Sequence, residues 1–244
     1  MAEKKKYRIA LCTHAFKDMD FSVHYNHMHC AMQWVKDGYD LVITGRKGLD
    51  AAMARNQIVD KAKDAECTHL FFMDADHYFP SNALTLLMEN AEEAMVSGLV
   101  CKKGEGFLQV AWMTHGSGKE RKYIPWKLPL DGNVIEVGCC AFGCTLINME
   151  KLLKLDKPYF RDVCEGPEGQ EPNNVRSDIT LCNRFREELK EKIFVDTRIL
   201  IGHEGYPEII YPQNAELMFH LQTTINETRL LREGQQGFWY DPLC

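Results

Sequence analysis

No apolar run in this 244-residue chain approaches the roughly 20 residues needed to cross a bilayer, and the basic opening Met1-Ala2-Glu3-Lys4-Lys5-Lys6 is not followed by a signal-peptide core. A soluble, cytoplasmic protein is expected. A basic excess is lacking as well: the net charge of −6 excludes a uniformly basic nucleic-acid surface but leaves room for a local basic groove. None of the ten cysteines forms a C-x-x-C pair. A zinc site drawn from Cys139 or Cys140, Cys144 and Cys164 would lack the paired spacing such sites use, so the thiols read as reduced core residues. Internal repeats and flexible linkers are also missing, which favours one large domain, and 45% hydrophobic residues suffice for its core.

What is present alternates. Tyr7-Arg8-Ile9-Ala10-Leu11-Cys12 has the form of a buried strand. Residues 22–36 carry Met28, Ala31, Met32 and Val35 at helical spacing, and the apolar run 39–45 suggests a second strand. Residues 49–65, with Met53, Ile58, Val59 and Ala62, suggest a second helix, which leads into the strand His69-Leu70-Phe71-Phe72-Met73. This β-α-β-α-β order implies an α/β fold, a mostly parallel sheet flanked by helices, with ligands beyond the carboxyl ends of the strands. A helix over 81–94 and a strand over 95–101 follow. Between 102 and 133 the pattern dissolves among glycines, prolines and lysines, as in hairpins or a loop over the site. Order resumes with the strand 134–137 and the glycine-bearing segment Gly138 to Cys144, where Gly143 permits close approach of backbone and ligand. After an irregular stretch, Ser177 reads as the N-cap of a helix carrying Ile179, Cys182, Phe185 and Leu189. A strand over 193–201 then stops at Gly202-His203, and a last helix is expected over 214–233.

Asp74-Ala75-Asp76 ends the most apolar of these strands. On extended backbone, residues two apart share a face about 6 to 7 Å from each other, so the two carboxylates would project together where the strand runs out. Like charges so placed are costly until a divalent cation joins them, and such a cation can hold a diphosphate. A bare Asp-x-Asp is more often a solvated turn, so the surrounding motifs decide.

With Thr13 after the first strand, Ala54-Arg55-Asn56 on a helix, Asp74-Ala75-Asp76, the Gly138 to Cys144 segment, Ser177-Asp178 opening a helix and the late Gly202-His203, the chain resembles the metal-dependent nucleotide-sugar glycosyltransferases of the GT-A fold, in particular their family-2-like members. The resemblance implies a single GT-A domain over 1–205 with a C-terminal helical extension, 206–244, packed on it. It further implies a nucleotide-diphosphate sugar such as a UDP-sugar as donor, and Mn²⁺ or Mg²⁺ held by Asp74, Asp76 and His203. Asp76 would ligate directly, and Asp74 would reach the ribose or bind through water. Thr13, Arg55, Asn56 and Gly143 would contact the donor, with Arg55 and Asn56 facing phosphate. Asp178 would be the catalytic base, although Ser177 replaces the glutamate of the family's Glu-Asp pair, so Glu165, Glu168 or Glu171 could share in orienting the acceptor.

The acceptor itself is not specified. Trp112, Tyr123 and Trp126 flank Lys119-Glu120-Arg121-Lys122 and could stack on a base or glycan, which keeps a hydroxymethylated pyrimidine in DNA among the acceptor hydroxyls. They could equally anchor a polar hairpin. His24, His27 and His29 do not share one helix face and read as packing residues. Two rival functions share the aspartates. A sugar-nucleotide pyrophosphorylase would need a glycine-rich loop after the first strand, where Thr13-His14-Ala15-Phe16-Lys17 stands instead. A noncatalytic nucleotide-sugar-binding assembly protein would bind donor without transferring it.

Overall fold

Ile9, Ala10, Leu11 and Cys12 are all buried, and the strand they build lies between two parallel neighbours in the computed structural model, which describes residues 7–16, 18–102, 109–165, 173–204 and 211–212. The expected helix over 214–233 and most of the extension 206–244 lie outside the described residues, as do Glu168 and Glu171.

The first half alternates as the sequence implies: β1 (Arg8–Ala15), α1 (Phe21–Lys36), β2 (Asp40–Lys47), α2 (Ala51–Asp64) and β3 (His69–Met73). A two-residue β4 (His77–Tyr78) comes next, then α3 (Ala83–Met88), β5 (Met95–Leu99), β6 (Ala111–His115), β7 (Lys122–Pro125), β8 (Val134–Val137) and β9 (Cys139–Cys140). The remainder is β10 (Cys144–Asn148), α4 (Met149–Leu152), β11 (Val163–Glu165), β12 (Asn173–Val175), α5 (Ser177–Glu188), β13 (Ile193–Leu200) and β14 (Gly202–His203).

The central sheet has the order β2-β1-β3-β10-β5-β13-β8. Because β10 is antiparallel to both β3 and β5, and β8 is antiparallel to β13, the other five strands all point one way. The sheet is mostly parallel, flanked by helices, and its carboxyl edge gathers the ends of β1 and β3. β3 is buried along its whole length, as a central strand covered on both faces must be. On one face Phe72 packs with Phe142 and Phe160, and on the other Phe71 packs with Trp34 and Phe79.

Two local expectations need correction, the outward faces of α1 and of α2. Helix α1 buries Val23, Cys30 and Trp34, while Met28, Met32 and Val35 face outward. The reason is polar: Asn26 exchanges hydrogen bonds with the Phe79 backbone and His27 Nε2 donates to the His77 carbonyl at 3.0 Å, so the face bearing these residues turns inward. Burial first, with neighbouring imidazoles adding to it, pushes His27 down to about 4, so it serves here as a neutral donor. Met53 of α2 is likewise exposed. In residues 109–133 the weak pattern resolves into the hairpin β6–β7, extended by β9. Trp112, Tyr123 and Trp126 pack against the core from this hairpin, and Asn183 donates to the Tyr123 hydroxyl at 2.7 Å, so the three anchor it instead of standing free as a stacking platform. The cysteines meet expectation: eight described thiols are buried and free, and Cys164 alone of the described ones is exposed.

Candidate active site

Pairing of β3 stops at Met73, opposite Cys144 of β10, and the Asp74 N–H donates to the Gly143 carbonyl at 3.2 Å. With no strand alongside to pair with, Ala75 and Asp76 form a turn, closed by the His77 N–H on the Asp74 carbonyl, and the chain re-enters extended structure at β4. The two carboxylates therefore leave a turn, and their expected alignment on one strand face is not what holds them near each other. β14 pairs antiparallel with β4, placing His203 directly opposite His77. That register stacks the two imidazoles with centroids 4.2 Å apart.

Asp76 sits between the rings. Its Oδ1 is 3.1 Å from His77 Nδ1 and its Oδ2 is 3.2 Å from His203 Nε2. One ligand atom each from Asp76, His77 and His203 lie within 4.8 Å of one another. His203 Nδ1 is 2.7 Å from the Cys101 carbonyl. A carbonyl only accepts, so Nδ1 carries the hydrogen, and Nε2 of the neutral ring presents a lone pair toward a carboxylate oxygen. Two acceptors face each other there unless a proton or a cation lies between them. Both ring nitrogens of His77 are buried and neither makes a well-aligned hydrogen bond, although Nδ1 lies within ion-pair distance of Asp76 Oδ1. A buried nitrogen left so is costly, and a metal ion is one of the few groups that would use an imidazole lone pair and a carboxylate at once.

Asp74 stands one step outside this trio, its Oδ2 3.9 Å from His77 Nδ1 and its side chain one-third exposed. The register Cys12↔Phe72 brings Thr13 of β1 level with the end of β3, at the same edge as Asp74. Gly143 does not leave open space for a ligand. A Cβ there would lie 2.8 Å from His77 Cε1 and 3.0 Å from Nε2, so the glycine makes room for the imidazole. Gly143→Ala is therefore expected to displace that ring and to cost about 1–3 kcal/mol of stability through overpacking. A lowered thermal midpoint would show it, and an unchanged midpoint would mean that the ring relaxes freely.

Arg55 of α2 meets Ser177 of α5, the residue before Asp178. Arg55 is buried on α2, its guanidinium carbon 5.1 Å from the Phe142 ring centroid, and Nη1 donates to the Ser177 hydroxyl at 3.0 Å. Ser177 is thus the first residue of α5 and not its cap, which Arg176 occupies. Its hydroxyl serves Arg55. Burial raises the pKa of Asp178, the Arg55 charge and the Ile179 N–H oppose the rise, and the charges of Cys182 and Asp74 add smaller increases. Asn56 is committed elsewhere: its amide donates to the Ala52 and Phe160 carbonyls and accepts from the Tyr159 and Phe160 N–H groups.

The sequence profile of Glycosyl transferase family 2 matches residues 23–155, more than half of the chain. The chain belongs to that family. Among solved structures it is similar to A197 from STIV, at 16% identity and a TM-score of 0.56 over 84% of this chain and 91% of that one, which agrees with the fold. An inositol-1-phosphate CTP transferase from T. maritima aligns at 11% identity and a TM-score of 0.45, covering 88% of this chain and 96% of that one. A glycosyltransferase involved in glycosylation of the PBCV-1 major capsid aligns at 11% identity and 0.31, covering 62% and 68%. These two superpositions are too loose to carry an argument. No curated protein sequence matches the chain.

Within the family match lie Arg55, Asn56, Asp74, Asp76 and Gly143, whereas Thr13, Asp178 and His203 fall outside it. One residue of the trio, His77, is missing from the sequence reading. Its signal was adjacency to Asp76, but a lone histidine after a strand is usually ordinary, and only the pairing of β4 with β14 distinguishes this one. Among the described residues no helix is long and apolar enough to cross a membrane.

Proposed function

We propose that this family 2 glycosyltransferase transfers a sugar from a nucleoside-diphosphate sugar to an acceptor hydroxyl with the aid of Mn²⁺ or Mg²⁺. The observation that supports this most is the confrontation of His203 Nε2 with Asp76 Oδ2, beside a His77 whose buried Nδ1 faces Asp76 Oδ1 and whose buried Nε2 makes no hydrogen bond. Asp76, His203 and His77 would hold the ion, a mixed nitrogen and oxygen set that suits Mn²⁺ better than Mg²⁺. Bound there, the ion supplies charge that neutralises the diphosphate as it leaves. Asp74, partly exposed beside the trio, would reach the ribose or a water of the ion, and Thr13 at the end of β1 would meet the nucleoside. Gly143 acts indirectly, by admitting the His77 ring, and Asn56 by clamping the 159–160 backbone; neither need touch the donor.

Asp178 takes the acceptor proton in this reading. A base works only when ionised, and burial lifts its pKa above the usual carboxylate value of 3.8, which strengthens the base and raises the pH at which it becomes active. The same shift means that folding favours the neutral form: its stabilising effect is complete below the ordinary aspartate pKa and is lost as pH rises through the raised one. Arg55 opposes the rise, so Arg55→Met is expected to move the acid limb of kcat/KM to higher pH. A limb that stays in place would remove Arg55 from this role.

The acceptor screen should include hydroxymethylated pyrimidine in DNA alongside glycans, although the aromatics suited to stacking on a base are packed against the core. The deciding experiment measures thermal stabilisation by UDP-sugars and other nucleotide sugars with and without Mn²⁺, in the parent and in His203→Ala. Mn²⁺-dependent stabilisation that disappears in the variant is expected; stabilisation indifferent to His203 would overturn the assignment. Donor binding with neither transfer nor donor hydrolysis would instead favour a noncatalytic binding protein.

A further inference from the structure

Three sulfur atoms meet in a part of the core that the proposed reaction does not use. Met95 opens β5, Cys140 closes β9 and Cys182 lies in the second turn of α5, three positions far apart in the sequence. Packing of α5 on β9 brings the Cys182 thiol to 3.6 Å from Met95 Sδ and 3.7 Å from the Cys140 carbonyl. The Cys140 thiol reaches the same Met95 Sδ at 3.9 Å. None of the three residues is more than 1% exposed. Cys139, buried beside them, turns its thiol to the side-chain oxygen of Asn183 at 3.6 Å.

Two thiols aimed at one thioether satisfy little, because a thioether is a weak acceptor. The dimensions suit another partner. With metal–sulfur bonds of about 2.3 Å, three sulfurs around one ion stand about 4 Å apart, close to the separations from Met95 Sδ found here. Sulfur ligands select soft cations, and a thioether narrows the choice further, since zinc is held by thiolate, imidazole and carboxylate. Burial opposes ionisation of Cys182, yet the thiols of Cys139 and Cys140 and the charge of Arg186 draw its pKa well below the ordinary thiol range, so one ligand is set to lose its proton. Cys140 is pushed up in turn, first by its hydrogen bond to Cys182 and then by burial. A cation between them reverses that second effect, because it draws both sulfurs as thiolates.

We propose that Cys140, Cys182 and Met95 form a two-thiolate, one-thioether site for a single soft monovalent cation of the Cu(I) class. On binding, each S–H bond gives way to an S–metal bond and each proton leaves to solvent. The ion and two thiolates carry one net negative charge, which the nearby Arg186 guanidinium offsets. The site is independent of the Asp76, His77 and His203 trio, whose nitrogen and oxygen atoms suit harder ions.

The test titrates the reduced full chain with Cu(I) held by bicinchoninate, whose colour reports the ion it gives up. The parent should take one equivalent, release about two protons per ion and melt at a higher temperature when loaded. Cys182→Ser should abolish the uptake. Met95→Leu nearly conserves volume and so keeps the core, and it should weaken uptake by roughly tenfold or more. Cys164→Ser, which alters the exposed thiol among the described residues, should match the parent. No uptake by the parent would overturn the proposal, as would equal uptake by the parent, Cys182→Ser and Met95→Leu. Loss confined to Cys164→Ser would overturn it too, by making a surface thiol the ligand.

Discussion

Asp76→Asn is expected to abolish Mn²⁺-dependent donor binding and to lower transfer by about a thousandfold, a loss on the order of that seen when a main electrostatic contributor is removed. Asp76 offers one carboxylate oxygen to each imidazole of the trio, Oδ1 toward His77 and Oδ2 toward His203. The amide keeps the shape but replaces one oxygen by a donor and removes the charge, so it can no longer face two imidazole lone pairs through a shared cation. Because Asp76 also accepts the Glu204 N–H through its backbone carbonyl, the substitution should leave the β4–β14 contact standing. Titration with Mn²⁺ followed by thermal melting reads the effect directly. Parent-like Mn²⁺-dependent binding in this variant would overturn the assignment of Asp76.

Asp178→Asn separates binding from chemistry. Donor affinity should hold, since Asp178 belongs to α5 and its one described hydrogen bond is to the Ile179 N–H. Transfer should fall by about 10²–10⁴-fold, the usual weight of a general base. The asparagine is near in size, and burial of the neutral group costs less than burial of the carboxylate, so the variant should be no less stable than the parent at neutral pH. Transfer at the parental rate would assign the proton to another group.

The order β-α-β-α-β was legible because buried strands and amphipathic helices leave different periods in a sequence, and β1, α1, β2, α2 and β3 fall close to the expected spans. The burial face of α1 was not. Its outward row is as apolar as its inward one, and the choice between them rests on hydrogen bonds from Asn26 and His27 to residues about fifty positions away.

At the site the same division holds. Sequence alone determined that acidic residues end the central strand, that Gly-His comes late in the chain, and that an aspartate opens a helix, because each is a local pattern. The tertiary structure decided that His77 stacks on His203, that Gly143 makes space for an imidazole, and that Asn56 is bound to backbone while Arg55 turns to Ser177. Those facts depend on strand register and on contacts spanning about a hundred residues, and a register one position different would send His203 to the other face of its strand.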